Sequence, residues 1–146
     1  MKNILKKLFE LKKDSIVLHK DSQAYNYKYA DLWQIQEKIA PSLEKLNLLV
    51  IHQTKNNLVT TTIFDIESGE SIFSEIDIGK ITTTRESTDN KWIKTTEVTE
   101  QDPQAVGAIV TYYRRYNLLQ LLDLKTEDND GASASPRAKN TSNYWF

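Results

Sequence analysis

The stretch QDPQAVGAIVTYYRRYNLLQLL, residues 101–122, sets two adjacent guanidinium groups, Arg114 and Arg115, inside the most apolar segment of the chain. Three phenol rings frame them: Tyr112, Tyr113 and Tyr116. A guanidinium is costly to bury without partners. Its planar fork suits carboxylate or phosphate oxygens. On a helix the two side chains point about 100° apart. Arg114 then shares a strip with Val110 and Leu118, and Arg115 one with Thr111 and Leu119. Spacing alone leaves two uses open: ion pairs with acids of a neighbouring element or subunit, or phosphate oxygens held in a groove. The tyrosines are expected mostly in the core, with one available for base stacking.

Other reactive groups are sparse. The two histidines, His19 and His52, lie far apart in sequence, and no HExxH pair exists. His52 falls in a strand-like run, where a packed or hydrogen-bonded imidazole is expected. The absence of cysteine excludes disulfides and thiolate metal sites. With four glycines and no GxxxxGK[ST], GxGxxG or GxSxG, P-loop ATP hydrolysis is excluded. The run EDND (127–130) lacks the alternate-position oxygens and closing Glu of an EF-hand, so it reads as a solvated acidic linker. Glu97, Glu100 and Asp102 invite a nuclease reading, but Asp102 already has a local task as a helix cap.

That task follows from Asp102-Pro103, a good N-cap followed by proline at the first helical position, which predicts a helix over about 103–122. Leu118, Leu119, Leu121 and Leu122 close it in an apolar cluster. Near the start, Ile4, Leu5, Leu8, Phe9 and Leu11 recur at helical spacing between lysines, an amphipathic helix with a solvated face. Leu32, Ile35, Ile39, Leu43 and Leu46 mark a second helix, which Pro41 should kink or restart. The alternating YNYKY before it suits an extended lead-in.

Between the second and third helices the chain is strand-like. Branched and aromatic residues predict three antiparallel strands over roughly 48–54, 57–66 and 70–79, with Gly69 in a turn. The next segment, KITTTRESTDNKWIKTTEV, fits either a polar hairpin tipped by ESTDN or a flexible loop. After the last helix, KTEDNDGASASPRAKNTSN reads as a linker or tail ending in three aromatics. Helices and strands are segregated, which argues α+β with helices on one face of an antiparallel sheet.

The length of 146 residues suits one domain. Hydrophobic residues at 39% supply a real core. No apolar run reaches a membrane span, and the lysine-interrupted N-terminus is no signal peptide, so a cytosolic protein is the default. The net charge of -1 argues against nucleic acid on total charge, but local balance differs. Residues 1–13 hold five lysines against Glu10, and residues 80–94 hold Lys80, Arg85, Lys91 and Lys94 against Glu86 and Asp89.

Residues 101–131 closely resemble the signature of the ERF (essential recombination function) family of phage single-strand annealing proteins. Its DPQ element, glycine and Thr-Tyr-x-Arg-Arg-Tyr core are filled in order by Asp102, Pro103, Gln104, Gly107, Thr111, Tyr112, Arg114, Arg115 and Tyr116. YKYADL (27–32), Ile39, Pro41, Leu43 and LNLLV match the family's other recurring segment. The resemblance covers about residues 5–131 and is weakest across 80–100. Family members usually continue past the acidic run, whereas this chain stops after a short tail, as a compact or trimmed member would.

The resemblance implies an ATP-independent protein that binds single-stranded DNA and anneals complementary strands in homologous recombination and DNA repair. It implies a ring or filament homo-oligomer with a strand-strand-strand-helix core. The chain then divides into an ERF-like annealing domain over 1–125 and, from its composition, an acidic and polar flexible C-terminal tail over 126–146. Candidate DNA-binding residues are Arg114, Arg115, Lys28, Arg85, Lys91 and Tyr112. No catalytic residue, metal or cofactor is expected. The expected partners are single-stranded DNA, further copies of the chain and a replication or recombination protein, in the cytoplasm of a bacterial host carrying a phage, prophage or plasmid gene. Because basic content is modest, affinity would rest on oligomerisation lining weak sites along one strand. Two rivals stand beside this reading: a protein-interaction module on the same fold, and a metal-dependent nuclease using Asp102 and the 127–130 acids.

Overall fold

The computed structural model describes residues 1–19, 22–23, 28–29 and 31–126. The element order is α1 (Lys2–Lys13), β1 (Val17–Leu18), β2 (Ser22–Gln23), β3 (Lys28–Tyr29), α2 (Leu32–Lys45), β4 (Leu48–Lys55), β5 (Leu58–Asp65), β6 (Ser71–Asp77), β7 (Thr82–Thr88), β8 (Lys94–Glu100), α3 (Pro103–Leu121) and β9 (Lys125–Thr126). The fold is α+β with antiparallel sheets and three helices, as the segregated sequence pattern predicts.

The central sheet runs β4-β5-β6. Lys55 pairs with Leu58 across a two-residue turn, Asn56-Asn57, whose φ angles are 49° and 63°. Two positive φ values match the strand twist in such a turn, and asparagine tolerates them. In β5 burial alternates strictly: Val59, Thr61, Ile63 and Asp65 are buried, while their neighbours are half-exposed. All three helices contribute to one core with the buried side of this sheet, where Ile4, Leu11, Ile35, Ile39, Ile63, Leu118 and Leu122 meet. α3 lies along β5 and β6, α2 against β4 and α3, and α1 against β5. The opposite side of the sheet leaves Leu49, Ile51 and Phe73 exposed.

Local chemistry sets each helix. Asp31 and Gln34 form a reciprocal capping box at the start of α2, with bonds of 2.8 and 2.9 Å. Helix α2 runs through Pro41 rather than restarting there. One residue farther along, Ser42 is buried and donates to Asp14 at 2.5 Å, which ties the two helices together on the inner side. Helix α1 has no cap of its own; Glu70, from the turn before β6, accepts from the Ile4 N–H at 2.8 Å. Lys7 reaches the buried Asp65 at 2.6 Å and also pairs with Glu67. Asp65 also accepts from Ser68 at 2.6 Å, and with the Lys7 bond this holds its carboxyl down at about 2. The ESGE turn therefore anchors the first helix as well as joining two strands.

The ambiguous 80–100 segment is a hairpin, β7-β8, in register from Thr82↔Glu100 to Thr88↔Lys94. Its tip is Asp89–Ile93, a few residues later than the ESTDN expected from composition. An unexpected parallel pair, β1 with β9, joins the segment after α1 to the end of α3. Residues 127–146, including EDND and the terminal aromatics, lie outside the described residues.

Candidate nucleic-acid interface

Asp102 starts α3 as its spacing predicts: its carboxylate accepts from the Ala105 N–H at 3.0 Å, and Pro103 occupies the first helical position. In the first half of the helix no residue is fully buried; burial begins at Arg115 and continues with Asn117, Leu118 and Leu122. Asn117 fastens the helix to the sheet. Its side chain donates to the Val59 carbonyl at 3.0 Å and accepts from the Ser74 hydroxyl at 2.8 Å. The arginine pair therefore sits where α3 passes from solvent onto the sheet.

The two guanidinium groups have different surroundings. Arg115 is 9% exposed, with its guanidinium carbon 5.0 Å from the Tyr112 ring centre and 5.7 Å from that of Tyr116. Such cation–π contacts stabilise by roughly 0.5–2 kcal/mol, more when desolvated. Arg114 is half-buried, and among the described residues no carboxylate lies within ion-pair distance of it. Its charge is felt by His52, whose pKa is lowered to about 4, first by burial and then by Arg114. His52 Nδ1 lies 2.7 Å from the Thr61 hydroxyl across β4 and β5, so the imidazole is packed and neutral near pH 7. This agrees with a hydrogen-bonded strand histidine.

The tyrosines correct an expectation. Tyr112 and Tyr116 are 40% and 42% exposed, and only Tyr113 is drawn partly inward. The reason is geometric. Arg115, Leu118 and Leu122 recur at i, i+3 and i+7, so the sheet-facing stripe takes Arg115, and the phenols fall beside it. Tyr112 and Tyr116 lie one turn apart, 4.9 Å between ring centres, and with Tyr113 form an aromatic surface.

Tyr112 and Arg115 are thus brought together, whereas Arg114, two residues from Tyr112 on the helix, lies toward His52 instead. Arg85 and Lys91 are exposed on the hairpin, and no hydrogen bond or ion pair among the described residues joins them to the α3 cluster. Lys28 lies in β3, paired with Gln23. Asn117, the nearness of His52 to Arg114, and the exposed Trp92 of the hairpin are not read from the sequence pattern. Only Arg115's burial had a readable signal, its spacing from Leu118 and Leu122.

The family model described as the ERF superfamily matches residues 1–144, nearly the whole chain. The chain belongs to the ERF superfamily. This ERF chain carries the arginine–tyrosine helix inside the matched span, and the match extends beyond the 5–131 region of motif resemblance. Membership supports a recombination or strand-annealing role in general, with DNA-related partners. No curated protein and no solved structure matches the chain. No described helix is long and apolar enough to cross a membrane.

Proposed function

We propose that this ERF-superfamily protein binds single-stranded DNA and anneals complementary strands without ATP or catalysis, as a ring or filament of identical copies in the bacterial cytoplasm. One observation carries the reading. Arg114 is a half-buried cation with no carboxylate in ion-pair distance among the described residues, on the helix that also carries an exposed tyrosine surface. A partly desolvated, unneutralised guanidinium favours an incoming phosphate, and exposed rings favour unstacked bases. Arg115, held between Tyr112 and Tyr116, shapes that surface. Arg85, Lys91 and Lys28 are further phosphate contacts.

The test is annealing of complementary oligonucleotides with no nucleotide added. The protein should accelerate annealing, and Arg114→Ala should slow it about tenfold or more while leaving the fold unchanged by circular dichroism. Normal annealing by a folded Arg114→Ala/Arg115→Ala variant that keeps its assembly state rejects the assignment. The net charge of -1 favours a second reading, a protein-interaction module without DNA binding. Absence of a gel shift with single-stranded DNA at low salt and micromolar protein selects it.

A further inference from the structure

The β7-β8 hairpin has an exposure pattern unlike the rest of the molecule. Every residue of β8 is exposed, and so are all of β7 but Thr83. A two-stranded ribbon that buries neither face is at best marginally stable in water. At its tip stands Trp92, 87% exposed, the most exposed large apolar side chain among the described residues. The backbone there has φ of 62°, a left-handed conformation costly for a bulky residue. It is held by Asp89, whose Oδ1 accepts from both the Lys91 and the Ile93 N–H at 2.8 Å, and whose carbonyl accepts from the Trp92 N–H at 3.0 Å. The indole is therefore presented outward on a closed loop.

Its neighbours suit an anionic polymer carrying flat rings. Lys91 and Lys94 flank it, and with Arg85 they have no carboxylate within ion-pair distance among the described residues. Asp89, the acid nearest the indole in sequence, is turned onto the backbone. Threonine hydroxyls line both strands. An exposed indole between free cations is the arrangement that stacks on an unpaired base while lysines meet the adjoining phosphates.

We infer that Trp92 is a base-stacking residue for single-stranded DNA, carried by the β7-β8 hairpin as a second contact separate from the α3 cluster. This rests on the DNA-binding reading above. Oligo(dT) is the probe, chosen because it forms no secondary structure. In a Trp33→Phe/Trp145→Phe background, Trp92 is the sole indole, and its emission should be quenched on saturation with oligo(dT). Trp92→Ala should weaken oligo(dT) binding about tenfold, and Trp92→Phe should recover most of it. The slope of log affinity against log salt should stay unchanged in Trp92→Ala, whereas Lys91→Gln should reduce it by about 0.7. Equal binding by wild type and Trp92→Ala overturns the inference and leaves the annealing reading standing. So does a smaller assembled particle for Trp92→Ala without DNA, which makes the indole a contact between copies. If the wild-type protein fails to bind oligo(dT) at low salt, the annealing reading falls and the role of Trp92 falls with it.

Discussion

The imidazole of His52 reports on the interface it lies behind. Its pKa is about 4 in the folded chain against an ordinary 6.5. Between those values the unfolded chain binds more protons, so stability falls as pH drops through that window and levels off below it. Near pH 7 the group contributes no such dependence. Melting temperature measured from pH 7 to pH 4 should therefore fall, and less steeply in His52→Gln. An equal slope in the variant rules out His52 as the source. Sequence spacing made His52 legible as a packed strand residue but gave no sign of Arg114 beside it. That proximity is set by the crossing of α3 over the sheet, a long-range arrangement that local periodicity does not encode. Arg115 was legible in part. Its i+3 and i+7 partners are leucines, yet a charged residue is ordinarily kept off an apolar stripe, and the two rings that shelter it count as apolar in any pattern.

At the scale of elements, α3 is held by polar contacts as much as by leucines. Asn117 is fully buried and bonded to Val59 and Ser74. Asn117→Ala leaves the half-buried Ser74 hydroxyl and the Val59 carbonyl without that partner and should cost about 1–3 kcal/mol, measured by urea denaturation. A loss below the error of that measurement contradicts the fastening role. The helix and the three central strands were legible within a residue or two, because their caps, turns and alternation agree. The hairpin was legible only as one of two choices. A ribbon exposed on both faces has no apolar alternation to reveal it, and only backbone pairing defines it. Pro41 misled in part: it lies on the exposed side of α2, while the inward face of that helix stays continuous.

For the whole molecule, the proposed DNA binding would have to work with a net charge of -1, so long-range attraction would be weak and contacts local. Binding should then weaken by roughly 0.7 log units per phosphate contact for each tenfold rise in salt. A slope of about -3 per bound copy is expected if Arg114, Lys91, Arg85 and Lys28 each meet a phosphate, and is checked by titration from 20 to 500 mM salt, on the order of one decade and a half. A slope indistinguishable from zero excludes phosphate contacts. Particle size with and without oligonucleotide measures assembly in the same samples. The overall class was legible because helices and strands occupy separate stretches of chain. The helix-covered and bare sides of the sheet were not, since residues such as Leu49 and Phe73 are as apolar as those in the core.

The base of the hairpin has a further consequence. Gln101 donates to the Ile81 carbonyl at 2.8 Å, so the chain leaves and rejoins the body of the protein at almost one point. Everything between is an appendage that the core does not need in order to close. Residues 82–100 are therefore expected to behave as an exchangeable cassette. A short glycine turn from Ile81 to Gln101 should bypass it with the melting temperature of the remaining body little changed, and a ribbon of different length or tip should graft onto the same two ends. The length and tip of the ribbon are thus free to vary without renegotiating the fold.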